Sequence, residues 1–275
     1  MDFNEKYQID RENLIGQGLT SEVYRGINRY TNEYVAIKII KKKKPHKYFI
    51  QNEIENLKTL SGHPNIIKLL DSYEFDLEFI LVFEYIELTL KNYIKLNKNN
   101  LSTNIIKHII KQLISISELL YKYKIIHHDI KSENILVKLE TNNILPQIIL
   151  CDFGFSISST QIPHRKLCGS PIYMHPTKLL YNFNFNSDEW SMNVIFYELV
   201  YGIHPFKGIT TKTELVNSIY KNHISFPYET IFTPQLKKLF LTGGNVFISV
   251  LKKEIEQIEQ IEQIEDDIED DYVIL

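Results

Sequence analysis

Residues 126–154 read IHHDIKSENILVKLETNNILPQIILCDFG. This stretch sets an acid, a lysine and an asparagine within six positions, Asp129, Lys131 and Asn134, followed by two apolar runs and then Asp152-Phe153-Gly154. Asp129 can accept a proton from a hydroxyl and Lys131 can neutralise a phosphoryl oxygen, while Asn134 and Asp152 offer hard oxygen ligands of the kind Mg²⁺ takes. Together these residue types suit phosphoryl transfer, where a protein's contribution is positioning and charge neutralisation.

The stretch resembles the catalytic loop and Asp-Phe-Gly motif of the eukaryotic protein kinases, with one departure: the family's His-Arg-Asp is His127, His128, Asp129 here. The resemblance implies an α+β, two-lobed protein kinase fold: a small antiparallel N-lobe sheet with one main helix, and a larger, mostly helical C-lobe. The expected divisions are residues 1–83, a hinge at 84–88, 89–245, and a low-complexity acidic helical tail at 246–275.

Upstream, Tyr7 to Gly26 alternates apolar and polar residues around IGQGLTSEVYRG, which predicts two strands joined by a glycine-bearing turn. Gly16 and Gly18 let a backbone approach phosphates without a Cβ in the way, although such a pair also fits an ordinary hairpin. The third glycine of the family loop is Ser21 here. By resemblance Ile15, Gly16, Gly18, Val23 and Ala36 line the ATP site, with Val23 packed on adenine.

The run YVAIKII, Tyr34 to Ile40, carries one charge, Lys38, which is costly to bury without a partner. The resemblance supplies a glutamate on the next helix, where Ile54, Leu57 and Leu60 fall at helical spacing and His63-Pro64-Asn65 reads as the stop. Glu53 is assigned to Lys38, with Glu55 the competitor. Between them KKKKPHKYF, residues 41–49, reads as a solvated loop, a docking patch for an acidic partner being the alternative. Two further strands are expected within Ser72–Tyr85. Phe83 then stands at the back of the adenine pocket, the backbone of Glu84 and Ile86 meets the adenine edge, and ELTL replaces the family's Gly-Gly-Asp.

Downstream, apolar residues at 105, 106, 109, 110, 113, 116, 119 and 120 predict a buried helix over Leu101–Lys124, capped by Ser102 or Thr103. In the resemblance His127 supports Phe153, and histidine at 128 replaces an arginine that commonly binds an activation-segment phosphate. Activity independent of that phosphorylation is therefore expected. Lys131 matches the serine/threonine branch. Glu133 stands where some kinases read a basic substrate residue, with Thr89 where a second acid would stand. KLCGSPIYM, 166–174, resembles the substrate-docking segment of ULK-like and calmodulin-kinase-like kinases, Ser170 bridging Asp129 and Lys131. His175-Pro176-Thr177 replaces Ala-Pro-Glu, and the arginine that pairs with that glutamate is missing too, since none follows Arg165. Asp188 is expected on the backbone of the catalytic loop, Trp190 in the core, and Gly202 with Pro205 at the end of that helix. Asn193 replaces a frequent glycine.

The chain has 275 residues, net charge −3 and a pI near 6.3, which gives no global attraction to nucleic acid or an anionic membrane. Two cysteines, Cys151 and Cys168, fit a reduced intracellular compartment, and the charged opening lacks a signal-peptide core. No apolar run approaches the roughly 20 residues of a membrane span, so a cytoplasmic protein is expected. Heavy use of Ile, Asn, Lys and Tyr points to an AT-rich genome, such as that of a protist or large DNA virus. The IEQ triplets put Ile at 255, 258, 261 and 264, a period that drifts around a helix; a frayed extension is expected, with a coiled-coil partner helix the alternative.

The implied reaction is transfer of the γ-phosphoryl group of ATP, with Mg²⁺, to Ser/Thr hydroxyls of protein substrates. The rival readings are a nucleotide-binding pseudokinase or scaffold, against which the retained Lys38, Asp129 and Asp152 speak, and a small-molecule kinase, against which GSPIYM speaks.

Overall fold

The computed structural model describes residues 2–18, 21–42, 46–97, 101–139, 145–158, 169–175, 186–209, 211–220, 224–241 and 251. A short helix α1 (Phe3–Lys6) leads into β1 (Tyr7–Gln17), β2 (Ser21–Asn28) and β3 (Tyr34–Lys41), then helix α2 (His46–Thr59), β4 (Leu69–Glu74) and β5 (Glu78–Glu84). The strands form one antiparallel sheet in the order β1-β2-β3-β5-β4. Alternation along β3 decides what each face carries. Val35, Ile37 and Ile39 pack with Phe3, Tyr7, Ile80 and Val82 on one side, whereas Ala36 and Ile40 join the main core on the other. Lys38 shares the second face.

Helix α2 begins at His46 and so takes the second half of the stretch expected to be a loop. It also ends at Thr59, ahead of the expected stop at His63. Leu60 N bonds Asn56 O at 3.0 Å and Ser61 N bonds Lys58 O at 3.3 Å, tightening the last turn, and Gly62 at φ +86° turns the chain away.

The second lobe holds β6 (Leu88–Thr89), α3 (Leu90–Asn97), α4 (Thr103–Lys122), β7 (Ile125–Ile126), β8 (Ile135–Lys138), β9 (Gln147–Leu150), β10 (Ile157–Ser158), α5 (Asn186–Tyr201), α6 (Lys212–Tyr220) and α7 (Thr233–Leu241). The cap of α4 is Ser102, whose Oγ accepts from Ile105 N at 3.3 Å. Ile109, Leu113 and Ile116 are fully buried beside Trp190 and Tyr197 of α5, each large aliphatic side chain contributing about 2 kcal/mol by leaving water. Every position of α5 from Trp190 to Tyr201 is buried, and Gly202, at φ +65° with its N–H on Glu198 O at 2.8 Å, ends the helix.

The architecture is therefore α+β and two-lobed. The lobes are sewn together where Leu150 N donates to Asn65 O (2.8 Å) and Ile67 N to Leu150 O (3.0 Å). Asn65 Nδ2 also reaches Gln112 and the Ile148 carbonyl, both at 2.8 Å. The expected tail lies outside the described residues except for Leu251, which is helical and buried in the main core.

Candidate active site

The alternation of β3 aims Lys38 at helix α2, and its Nζ lies 2.6 Å from Glu53 Oε1 and 2.8 Å from Asp152 Oδ1. Glu55 is exposed on the other side of that helix. Burial opposes the charge on Lys38, but the Asp152 and Glu53 carboxylates outweigh it and raise its pKa, so the ammonium persists. In return Lys38 holds the Asp152 carboxyl down at about 2. Gly154 borders this junction: a Cβ there would stand in ordinary contact, 3.4 Å from Asp152 Oδ1 and 3.5 Å from Lys38 Nζ.

Asp152 sits in the left-handed region at φ +61°, and the turn after it sends Phe153 into the core, edge-on to the His127 ring at 4.7 Å. Burial pushes the His127 pKa down, and the neutral ring is fixed in one tautomer. Its Nε2 donates to Cys151 O (3.1 Å), while its Nδ1 accepts from Asp129 N (3.3 Å). His127 is thus a support for the loop and not a base. Burial likewise raises the Cys151 thiol, which leaves it unreactive.

Asp129 uses all of its acceptor capacity. Its Oδ2 takes Lys131 Nζ at 2.8 Å and Asn134 Nδ2 at 3.0 Å, and its Oδ1 takes the backbone N–H and hydroxyl of Ser170 at 2.8 and 2.9 Å. Lys131 Nζ also donates to Ser170 Oγ at 3.0 Å. The loop beneath is held by α5, whose Asp188 accepts from His127 N (2.7 Å) and His128 N (3.0 Å). This pair of hydrogen bonds restrains His128, which is left-handed at φ +70°. Gly169, at φ +96°, is required above it: a Cβ there would meet His128 O at 2.2 Å.

The remaining site residues lie along the sheet and the link between lobes. Val23 pairs with Gly16 on one side and Lys38 on the other, and Ala36 pairs with Phe83. Gly18 N donates to Ser21 O at 2.8 Å, closing the β1–β2 turn as far as it is described. Ile15 is exposed on β1. The Glu84 carboxylate accepts from Lys68 N at 3.0 Å, and Ile86 follows in the unpaired link before β6. Glu133 holds Lys91 at 2.7 Å. Pro176 and Thr177 lie outside the described residues; His175 is buried edge-on to Trp190.

Sequence reasoning overlooked two groups. Asn56 of α2 donates to Ser156 Oγ at 2.8 Å, tying the helix to the chain after Asp-Phe-Gly. Tyr173 donates to Glu198 of α5 at 2.7 Å and lies 3.1 Å from Ser132 Oγ. Glu198 was legible in principle as the one acid inside the apolar run NVIFYELVY.

The sequence model described as protein kinase domain matches residues 9–262 of this chain. The chain belongs to the protein kinase domain family. It is similar to Serine/threonine-protein kinase 36 of Pongo abelii, at 33% identity over 245 residues, covering 87% of this chain and 18% of that protein. Serine/threonine-protein kinase TIO of Arabidopsis thaliana is 35% identical over 234 residues, or 82% of this chain and 17% of that one. Serine/threonine-protein kinase atg1 of Botryotinia fuckeliana is 31% identical over an alignment of 280 positions, gaps included, that covers 82% of this chain and 29% of that protein. The kinase domain described here thus spans less than a third of each of these curated relatives. Among the described residues no helix is long and apolar enough to cross a membrane.

Proposed function

We propose that this kinase domain transfers the γ-phosphoryl group of ATP to serine or threonine hydroxyls of protein substrates. The observation that carries the reading is the single hydrogen-bonded junction of Lys38, Glu53 and Asp152 across the lobes, beside an Asp129 held by Lys131, Asn134 and Ser170. The printed names of the relatives support the serine/threonine class. In this reading residues 84–88 are the hinge between lobes 1–83 and 89–245. Ile15, Gly16, Gly18, Val23, Ala36, Glu84 and Ile86 surround the nucleotide base and phosphates.

Lys38 orients the α- and β-phosphates, a task for which its permanent charge and two-sided anchoring fit it. Asn134 and Asp152 would hold Mg²⁺. The donor set fits: the amide nitrogen of Asn134 is committed to Asp129, which turns its oxygen the other way, and the Asp152 carboxyl stays ionised at any neutral pH. Bound Mg²⁺ supplies neutralisation of phosphate charge. Asp129 receives the acceptor hydroxyl, which displaces the hydroxyl of Ser170 from Oδ1. The hydroxyl oxygen then bonds the γ-phosphorus, the bond to the bridging oxygen of ADP breaks, and the proton passes to Asp129. Lys131 neutralises the γ-phosphoryl oxygens during transfer.

Turnover of ATP with Mg²⁺ on a serine/threonine peptide array, with phosphoamino-acid analysis, tests this. Phosphoserine or phosphothreonine formed by the wild type and lost in Asp129→Ala and Asp152→Ala is the expected result. Binding of ATP without any transfer would instead favour the pseudokinase. Because histidine at 128 lacks a bidentate fork, phosphatase treatment is expected to leave turnover unchanged.

A further inference from the structure

One hydrogen bond between the lobes has no part in the transfer described above. Asn56 stands three residues beyond Glu53 on α2, so the two side chains are neighbours on the helix surface. Asparagine is a weak helix former, and a buried amide is costly unless it is bonded. Asn56 is buried, and its Nδ2 donates at 2.8 Å to Oγ of Ser156, a buried residue 100 positions away. Ser156 passes the bond on. Its Oγ donates to the Phe153 carbonyl at 2.6 Å, and its N–H donates to the same carbonyl at 2.9 Å. The carbonyl so held lies one residue beyond Asp152, whose backbone is left-handed at φ +61° and persists only where its surroundings fix it. Ser156 also leads into β10, where Ile157 pairs with Ile126 immediately before His127. The amide of Asn56 thus reaches from α2 to the turn that aims Asp152 and to the strand that delivers the catalytic loop.

We propose that Asn56 is a positioning residue for phosphoryl transfer: through Ser156 it sets α2 against the turn after Asp152, so that Glu53 and Asp152 converge on Lys38. The inference rests on the reading of the site given above, because such positioning matters only if Lys38 and Asp152 act on a nucleotide. The apolar contacts of Ile50, Leu57 and Leu60 are non-directional and leave a helix free to rotate or slide by small amounts. Two hydrogen-bonded side chains one turn apart, Glu53 and Asn56, remove that freedom. Both members of the Asn56–Ser156 pair are neutral, so the anchor adds no charge to the junction beside it.

The test compares the wild type with Asn56→Leu, Ser156→Ala and the double variant by peptide-phosphorylation kinetics, thermal unfolding and amide hydrogen exchange. Each single variant is expected to lower kcat about tenfold with the KM for the peptide unchanged, because Asp129 and Ser170, which receive the peptide, are held by other partners. Exchange of the Ser156 amide speeds up at least about tenfold, while the amides of β3 and β5 keep their protection. The double variant separates positioning from stability. With both polar groups gone neither is left unpaired, so Tm returns toward the wild type, but the Phe153 carbonyl has lost the Ser156 hydroxyl and kcat stays about tenfold down. Should Asn56→Leu not fold, Ser156→Ala carries the kinetic and exchange comparison through a smaller change. A kcat that recovers together with Tm in the double variant, wild-type kcat in the single variants, or exchange that rises equally across the sheet would overturn the proposal. Absence of turnover in the wild type would count against the kinase reading instead, and exchange at Ser156 would still decide whether Asn56 holds the turn.

Discussion

The two sides of the catalytic loop are built on opposite terms. Toward the cleft, buried charge is matched: Lys38 bonds two carboxylates, and Asp129 fills every acceptor position with Lys131, Asn134 and Ser170. Toward α5, Glu198, Glu133 and His204 each keep a buried atom without a partner, as do Ser187, Trp190 and both side-chain polar atoms of Asn193. A paired charge keeps its ionisation against burial, which is what a site handling phosphates needs. Glu198, bonded to a phenol, is raised by burial to about 7, whereas Glu133 beside it is bonded to Lys91 and lowered.

The sharpest way to break the matched side is Asp129→Asn, which keeps the shape and removes the base. Turnover should drop about 10³-fold, and stability should fall by about 2 kcal/mol because the amide nitrogen then faces hydrogen-bond donors where Asp129 accepted from them, read by peptide phosphorylation and calorimetry. Next in size is Lys38→Met, which leaves Glu53 at 2% exposure without its cation. Besides abolishing turnover, it should cost about 3 kcal/mol in denaturant unfolding, whereas Glu53→Gln should cost less because Lys38 keeps Asp152. Equal losses for the two would mean that Asp152, whose side chain is 42% exposed, gives Lys38 no effective support.

Asp188→Ala tests the floor of the loop by leaving the N–H groups of His127 and His128 without acceptors, for about 2 kcal/mol of stability and a slower turnover. Asn193→Ala probes the unmatched side with the smallest effect and the opposite sign. Removing two unpartnered polar atoms from a buried helix position should raise stability by about 1 kcal/mol, seen as a higher Tm. A lower Tm would place an ordered water on that amide.

Much of this was legible in the chain because the signals were local. The run Tyr34–Ile40 alternates its faces, and the apolar spacing after Ser102 gives helix α4 and its cap; neither depends on distant residues. The ordered series from IGQG to DFG likewise fixed the family. Boundaries were less legible. Helix α2 starts inside a lysine-rich stretch and stops at a glycine turn, since helix ends are set by which terminal N–H and C=O groups find partners.

What the sequence determined alone is the set of chemical groups: an ammonium that must be paired, an acid set beside a lysine and an asparagine, and the acid of Asp-Phe-Gly. Which carboxylate takes which cation was decided only by the fold. Lys38 and Asp152 are 114 residues apart and meet at 2.8 Å, whereas Glu198, 25 residues from Tyr173, receives a phenol and, among the described residues, no ion pair. The physical reason is that a charge's ionisation depends on what surrounds it within a few ångströms, and those surroundings come from segments that only packing brings together.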